Sequence, residues 1–333
     1  MRKFISICLA LAVLICSFSF SFSAYADSSN YYLQREQYNT HNNIAGGFYG
    51  KNAYFINNHS EKLYIKKSVN GKAKSVRKGV CAGGCHTIYK NYVYYLGEDG
   101  CLKKCSVNGK VKKKIISKNI NIIYLIVAYD KIFFLAEDPY GDIGYSGLYE
   151  CDLNGKHIRR ITKHFADHFY SWGKNIYYYD LDSKCFKRYN PKNKKIYRIK
   201  FNKAIKNPEI IGMEGSSIYY YYYSTVGYAE WVSFYKADVK TKKVTCIGDT
   251  KVSGNFHFIV ANKRLYAAVW YNDDDTVYYY KYTDNYKPFR LIKSLPFSRV
   301  CATDMGFYRN KIITVKYKNN KPTSEYYVIA TIK

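Results

Sequence analysis

The sequence predicts an all-β protein, a β-propeller of four-stranded blades, with seven blades favoured and six as the alternative. Three observations predict this fold. An aromatic strand recurs seven times along the chain, a second strand with a turn signal follows most copies, and no stretch after residue 26 has the 3.6-residue apolar period of an amphipathic helix. Repeats of this length that contain four short strands are typical of propeller blades.

The aromatic strand is the most regular element of the repeat. Its copies begin at Ala53, Val93, Ile132, Ile176, Ile218, Leu265 and Ile312, at steps of 39 to 47 residues. The fifth copy contains five consecutive tyrosines, Tyr219 to Tyr223. Because a strand covered on both faces has a continuous apolar run, we predict that these rings pack between neighbouring blades while their hydroxyls point to the rim.

The segments around each aromatic strand supply the other three strands. A short strand that ends in a lysine-rich turn precedes it, as in TIYK and SWGK, and a strand such as CLKKCSVNGK follows it. Asn70-Gly71, Asn108-Gly109 and Asn154-Gly155 predict hairpin turns with positive φ at both positions, after which a fourth strand begins.

The last unit contains only three strands and ends at SEYYVIATIK. Residues 30–38, NYYLQREQY, precede the first unit and have the pattern of a strand. An open ring would expose sheet edges, so we predict that this N-terminal strand completes the last blade and closes the propeller.

The first 26 residues have the pattern of a secretory signal peptide. Arg2 and Lys3 precede an apolar run, and Ala24-Tyr25-Ala26 forms a small-x-small cleavage site. We expect residues 1–26 to be removed and residues 27–333 to form one propeller domain, secreted or extracellular and associated with the cell wall, with no transmembrane segment. An uncleaved membrane anchor is the alternative, because the run is just long enough to span a bilayer.

Two segments resemble a known propeller family. Ile176-Tyr177-Tyr178-Tyr179-Asp180 and the segment LYECDLNGK at 148–156 resemble the YWTD propellers of the low-density-lipoprotein receptors, and the chain looks similar to bacterial exported propellers of unknown function. The resemblance extends over the mature chain, with Tyr or Phe in place of the family's Trp and with blades five to seven diverged. It implies a propeller that binds protein or glycan rather than one that catalyses a reaction.

The charge of the chain points to anionic partners. The formal net charge is +28, or +26 without Arg2 and Lys3, which favours an envelope polyanion such as teichoic acid. A/T-rich codons also enrich Lys, Asn, Ile and Tyr, so composition does not by itself indicate binding. Position adds information, because the turns after the first and third strands share one face of a propeller and are rich in lysine. We call this surface the basic face and predict that it binds polyanions through Lys110, Lys156, Lys194 and Lys242.

The opposite face carries most of the acidic turns. They follow the second strands and include Glu98, Asp99, Glu137, Asp138, Asp142, Asp182 and Asp273 to Asp275. Aromatic residues accompany them, and Tyr140, Trp231 and Trp270 are the predicted ligand-binding residues because exposed aromatics anchor sugars or protein pockets. Trp270 has an alternative role, which is packing between blades.

Cysteine and histidine leave several site types open. Eight cysteines remain after cleavage and permit disulfides in an exported chain. The pairs Cys81-x3-Cys85 and Cys101-x3-Cys105 would also permit a four-thiolate zinc site, and free buried thiols are the third alternative. The segment HFADH, at 164–168, is the densest cluster of possible metal ligands, but a solvated loop is favoured, and no metal site is predicted.

The leading functional hypothesis is an exported, non-enzymatic propeller that binds a surface protein or glycan. The alternatives are a glycan-active lyase or hydrolase that works from the acidic face, and a structural scaffold in an envelope complex. The segment GYSG, at 144–147, lacks the G-x-S-x-G spacing of a nucleophile elbow. The sequence shows no phosphate-binding glycine loop and no nucleic-acid module, so we expect no cofactor and no specific nucleic-acid partner.

Overall fold

Seven antiparallel sheets follow one another along the chain, which confirms seven blades rather than six. The computed structural model describes residues 47–332, with gaps at 50–51, 58–60, 82–84, 111, 117–120, 138–145, 163–165, 227–228, 253–254, 272–274, 283–289, 302–304, 309 and 320. Within each blade, every strand pairs with the next one in sequence. The first strands of successive blades contact one another, as β5 contacts β9 and β17 contacts β21, so the first strands form the inner ring.

The strands divide evenly among the first six blades. Blade 1 contains β1 (Gly47–Tyr49), β2 (Asn52–Asn57), β3 (Lys62–Lys66) and β4 (Lys74–Lys78). Blade 2 contains β5 (His86–Tyr89), β6 (Tyr92–Leu96), β7 (Leu102–Ser106) and β8 (Lys112–Ile116). Blade 3 contains β9 (Asn121–Ala128), β10 (Lys131–Glu137), β11 (Ser146–Asp152) and β12 (Arg159–Thr162). Blade 4 contains β13 (Ala166–Trp172), β14 (Asn175–Asp180), β15 (Cys185–Asn190) and β16 (Lys195–Arg198).

The later blades have longer strands. Blade 5 contains β17 (Glu209–Glu214), β18 (Ser217–Val226), β19 (Ala229–Asp238) and β20 (Val244–Val252). Blade 6 contains β21 (Asn255–Ala261), β22 (Arg264–Trp270), β23 (Thr276–Lys281) and β24 (Arg290–Pro296), and a 3₁₀ turn follows at Phe297–Arg299. Blade 7 contains β25 (Met305–Tyr308), β26 (Lys311–Lys318) and β27 (Lys321–Thr331). All seven copies of the aromatic segment therefore form second strands, as predicted.

The hydrophobic core lies between the blades. Each buried cluster combines side chains from two neighbouring sheets, and the seven clusters correspond to the seven seams of the ring. The cluster that joins blade 7 to blade 1, for example, contains Ile313 and Val315 from β26 and Ala53 from β2. Burial of these apolar and aromatic surfaces is the main stabilising contribution to a fold of this kind.

The five consecutive tyrosines show how one strand serves two seams. Tyr220 joins the cluster shared with blade 4, whereas Tyr219 joins the cluster shared with blade 6. Tyr222 and Tyr221 continue this alternation and are partly buried, and Tyr223 at the end of the run is 46% exposed. Because successive residues of a strand point to opposite faces, a strand packed on both sides needs large apolar residues at every position. The predicted packing role is confirmed for the inner part of the run.

The turns differ in detail from the prediction. Gly109 and Gly155 have positive φ, at 76° and 78°, but Asn108 and Asn154 do not, and neither residue of the Asn70-Gly71 pair does. The amide of Gly155 donates to the carbonyl oxygen of Asp152 at 3.0 Å, so the turn begins two residues before the Asn-Gly pair. The prediction of positive φ at both positions was therefore wrong for all three pairs, because only the glycine lies in the left-handed region in blades 2 and 3 and neither residue does in blade 1.

The same glycines bring neighbouring blades together. A Cβ atom on Gly155 would lie 2.2 Å from the carbonyl oxygen of Ile115 in the outer strand of blade 2, and one on Gly109 would lie 2.5 Å from that of Val76 in blade 1. Only glycine permits this approach of the backbones. The turn sequence is thus also a packing element between blades.

The ends of the chain lie partly outside the described residues. Blade 7 has three strands there, and the predicted closing strand at 30–38 and the signal peptide at 1–26 both fall before residue 47. In the described part of the chain, no helix has the length and apolar character needed to cross a bilayer.

None of the eight cysteines that follow residue 26, all of which the structure describes, forms a disulfide bond. Cys85 belongs to the cluster between blades 2 and 3, whereas Cys105 belongs to the cluster between blades 1 and 2. Cys85 and Cys105 therefore lie on opposite faces of blade 2, and neither the disulfide nor the four-thiolate alternative describes the structure. Burial raises the pKa of both thiols, to about 12 for Cys85 and about 11 for Cys105.

Candidate functional site

A repeated turn after the third strand presents lysine on the basic face. In blade 3, Oδ1 of Asp152 accepts the amide of Lys156 at 3.0 Å. In blade 5, Oδ1 of Asp238 accepts the amide of Lys240 at 2.8 Å. Asn190 has the same role in blade 4. A short polar side chain that accepts amides from its own turn stabilises that turn. The repeat thus holds a lysine backbone in each of these three turns, four residues after the acceptor in blade 3 and two residues after it in blades 4 and 5.

Five exposed lysines of the basic face have left-handed backbone conformations. They are Lys90 (φ 55°), Lys174 (63°), Lys194 (58°), Lys242 (63°) and Lys263 (60°). A residue with a Cβ atom is disfavoured in this region by about 1–2 kcal/mol, and glycine or asparagine is the usual occupant. Since glycine would fit these turns with less strain, turn geometry does not explain why lysine is there.

The aspartates of these turns mainly accept hydrogen bonds from backbone amides of the same turns. Asp238 accepts two turn amides and the hydroxyl of Ser216. Although desolvation raises the pKa of Asp238, these hydrogen bonds outweigh it, and the pKa lies below its usual value. Asp152 has a lowered pKa for the same balance of causes. Asp130 differs, because its Oδ1 lies 2.5 Å from Nζ of Lys90 in an exposed ion pair.

The predicted polyanion-binding lysines are exposed on this face. Within the described residues, no carboxylate pairs with Lys110, Lys156, Lys194 or Lys242. Partial burial and then the nearby positive charge of Arg188 lower the pKa of Lys242. The charges of Lys242 and Arg188 are therefore close enough to repel each other, and an anionic polymer would relieve that repulsion.

The predicted aromatic anchors lie in different environments. Trp231 in β19 is 38% exposed, and its cross-strand partner is Ser224. Trp270 is half-buried and packs against the cluster between blades 6 and 7, as its structural alternative proposed. Tyr140 lies outside the described residues. Tyr223 is exposed near Trp231, but its cross-strand partner is Val232, so the two rings stand on opposite faces of blade 5.

Metal-binding side chains do not converge in the described part of the chain. No group of three or more His, Cys, Asp or Glu residues there could hold a metal ion. The side chains of the predicted cluster, His164, Asp167 and His168, fall outside the described residues.

On the acidic face, a hydrogen bond from Lys103 lowers the pKa of Asp99 to about 2.

A basic cleft formed by blade 4 and the crossover that leads to blade 5, which we call the blade 4–5 cleft, was not predicted. It has a volume of about 490 Å³ and lies where the turn from β14 to β15 meets the crossover from β16 to β17. Lys184, Arg198, Lys200, Lys203 and Lys206 line it. These turns follow a second and a fourth strand, so basic residues also gather on the face that carries the predicted acidic turns, and Asp182 lies in one of the two turns. In the sequence, the alternation of basic and apolar residues in RIKFNKAIK, at 198–206, is the feature that could have indicated this cleft.

Comparisons with known proteins support the fold. No protein-family model matches the chain, and no curated protein matches it. Among solved structures, oligogalacturonate lyase in complex with manganese is similar, with a TM-score of 0.54, 12% identity and coverage of 89% of this chain and 90% of the lyase. The computationally designed Ika8 protein has a TM-score of 0.52, 9% identity and coverage of 87% and 98%.

A third structure, TolB from Acinetobacter baumannii, has a TM-score of 0.43 and 15% identity. The match covers 74% of this chain but only 63% of TolB, less than two thirds of its length. At such identities the likeness shows the fold alone. The chain is a seven-bladed β-propeller, and its likeness to the YWTD propellers remains a resemblance of sequence motifs.

Proposed function

We propose that this protein is an exported, non-enzymatic propeller that binds an anionic polymer of the cell envelope, such as teichoic acid, through its basic face. The observation that carries the proposal is the set of five exposed lysines in left-handed turns of one face. A charged residue kept at a strained position supports a role for the charge itself. The signal-peptide pattern of residues 1–26 supports export to the compartment where such polymers occur.

Lysine suits this kind of partner. An ammonium group is a strongly hydrated point charge that associates loosely with phosphate oxygens, whereas arginine favours paired, oriented contacts. Several such charges on one flat surface sum into a field that attracts a flexible polyanion. Binding of this kind is weak for each contact and decreases steeply with salt. Trp231 on the other side of the ring supports a contact with a surface protein or glycan, since an exposed indole offers a large contact area.

Charge reversal on the basic face tests the proposal. The variant carries Lys110→Glu, Lys156→Glu, Lys194→Glu and Lys242→Glu, and retention on isolated cell walls is measured across a salt series. We expect the wild type to be retained at low salt and released as salt increases, and the variant to be released at a clearly lower salt concentration.

A control variant changes the same number of exposed lysines away from this face, namely Lys78→Glu, Lys114→Glu, Lys318→Glu and Lys321→Glu. It should be retained much better than the basic-face variant. Equal loss of retention in both variants would mean that only net charge matters. A wild type whose retention does not change with salt would contradict the proposal.

A further inference from the structure

The blade 4–5 cleft has a floor and a rim of different chemistry. Phe186, Ile199 and Ile205 are buried at its base, and the ring of Phe201 meets that of Phe186 edge to face at 6.0 Å between centroids. The cluster between blades 4 and 5 continues beneath them. An apolar surface of this kind takes the hydrocarbon or aromatic part of a ligand.

The rim is positive, and the exposed Asp182 in the turn that carries Lys184 does not line the cleft. Its five basic side chains are Lys184, Arg198, Lys200, Lys203 and Lys206, and no carboxylate lines the cleft. In the described part of the chain, no acidic residue forms an ion pair with any of the five. Lys184 also has a left-handed backbone, with φ at 45°. Uncompensated cations around a concave site favour a ligand with negative charge.

The buried carboxylate that precedes the turn of Lys184 already has partners. Asp180 is fully buried, and its Oδ2 lies 2.7 Å from Nζ of Lys187. Its Oδ1 accepts the amide of Ser183 at 2.8 Å and the hydroxyl of the same residue at 2.6 Å. These contacts orient the turn that carries Lys184, and they leave Asp180 facing the protein interior.

The crossover that forms one wall of the cleft is fixed to both blades. The amide of Ile199 donates to the carbonyl oxygen of Phe186 in blade 4 at 2.9 Å, and that of Asn207 donates to the hydroxyl of Tyr179 at 2.9 Å. The amide of Lys206 donates to the hydroxyl of Tyr222 in blade 5 at 3.1 Å.

A second pair of bonds holds the middle of the crossover. The amide of Asn202 donates to the carbonyl oxygen of Lys242, and its side chain accepts the amide of Val244 at 2.8 Å. A wall held in this way is formed before any ligand arrives, which reduces the entropic cost of binding. The cleft volume of about 490 Å³ lies within the usual range for small-molecule sites.

We propose that the blade 4–5 cleft binds an amphipathic anion, with a phosphate or carboxylate head at the basic rim and a hydrocarbon body on the apolar floor. This site is distinct from the basic face, because it lies at turns that follow a second and a fourth strand, whereas the turns of the basic face follow first and third strands. The inference does not depend on the proposed binding of envelope polymers.

Calorimetric titration with decyl phosphate, below its micelle concentration, tests the site. Inorganic phosphate supplies the head without the body, and decyl maltoside supplies the body without the charge. We expect decyl phosphate to bind at least tenfold more tightly than either. Equal affinity for decyl phosphate and one of the other two probes would show that only half of the proposed chemistry operates, and it would overturn the inference.

Variants locate the binding to the cleft. Lys184→Gln with Lys203→Gln should weaken decyl phosphate at least tenfold, whereas Lys174→Gln with Lys263→Gln on the basic face removes the same charge and should change affinity by less than twofold. Phe201→Ser tests the apolar floor and should weaken decyl phosphate while affinity for inorganic phosphate stays constant. Circular dichroism confirms that each variant is folded.

Vesicles of phosphatidylglycerol test whether the anion is a lipid headgroup in a membrane or a soluble molecule. Binding to these vesicles without binding of soluble decyl phosphate would overturn the small-molecule site. Similar weakening by both lysine pairs would do the same. The cleft variants should keep wild-type retention on cell walls, so the failure of this inference can be separated from the failure of the proposed function.

Discussion

The carboxylate of Glu214, at the end of the inner strand of blade 5, accepts the backbone amide of Lys263 in blade 6 at 2.5 Å. Its other oxygen accepts the amide of Asn262 at 2.7 Å. One buried side chain therefore fixes the turn between β21 and β22 that presents a lysine of the basic face.

Removing this carboxylate should destabilise the seam between blades 5 and 6. Glu214→Ala leaves two turn amides without their acceptor, and hydrogen bonds to a charged group contribute about 1.5–3 kcal/mol. We expect the free energy of unfolding in urea to decrease by about 2 kcal/mol. Glu214→Gln keeps one acceptor oxygen and should lose less. An alanine variant as stable as the wild type would contradict this role.

Alanine at Gly155 should be far more damaging than alanine at another left-handed glycine. Gly155→Ala places a Cβ atom 2.2 Å from the carbonyl oxygen of Ile115, so backbone clash adds to the conformational strain. Gly173 also has positive φ, at 54°, but nothing lies within 4 Å of its added Cβ atom. We expect Gly173→Ala to cost about 1 kcal/mol and Gly155→Ala at least about 2 kcal/mol more. Equal melting temperatures of the two variants would show that the blades do not pack as described.

Glycine substitutions on the basic face should separate stability from binding. Lys174→Gly, Lys194→Gly and Lys263→Gly each relieve left-handed strain, although glycine also gives the unfolded chain more entropy. We expect stability to stay constant or to rise by about 0.5 kcal/mol for each change. Retention on cell walls should nevertheless fall.

The same three positions changed to asparagine provide the control, because asparagine tolerates this backbone conformation and carries no charge. The asparagine variant should lose as much retention on cell walls as the glycine variant. A glycine variant with wild-type retention would indicate that lysine is present for reasons other than its charge.

His257 should make the protein less stable in mild acid. Burial lowers the pKa of this histidine to about 4, partly offset by a hydrogen bond with the backbone of Met305 in blade 7. Because the unfolded state binds the proton near pH 6.5 and the folded state only near pH 4, stability is fully present above pH 6.5 and decreases as the pH falls to about 4. The loss reaches about 3 kcal/mol.

The comparison uses His257→Gln, which keeps a donor for Met305 and does not titrate. The melting temperature of the wild type should fall relative to that of the variant between pH 6.5 and pH 4. Parallel curves over this range would show that His257 does not control the acid sensitivity.

The repeat allowed the architecture to be predicted because blades are local structures. The spacing of Val93 and Ile132 follows from pairing between strands adjacent in sequence, and the alternation of Tyr219 and Tyr220 follows from the geometry of a strand. The lysines of the basic face could be assigned to turns for the same reason. Their left-handed conformations could not be predicted, because lysine carries no signal for that region.

The blade 4–5 cleft could not be predicted from the repeat. Phe186 and Ile205 belong to different parts of one unit and its crossover, and they meet only because the crossover bonds to the outer strand of the next blade. Trp270 shows a related difficulty. Its place in a second strand was clear, but whether its ring lies at the rim or in the seam depends on the neighbouring blade.

Because the cores lie in the seams, no blade has a hydrophobic core of its own. The surface of blade 4 formed by Tyr177 and Tyr179 matches blade 5, whereas the surface of blade 6 formed by Phe258 and Ala267 matches the other side of blade 5. Deleting blade 5 would bring these two surfaces together, although each of them is complementary to blade 5 and not to the other. The number of blades is therefore determined by the complementarity of the packing surfaces of each pair of neighbouring blades, and not by the repeat that the blades have in common.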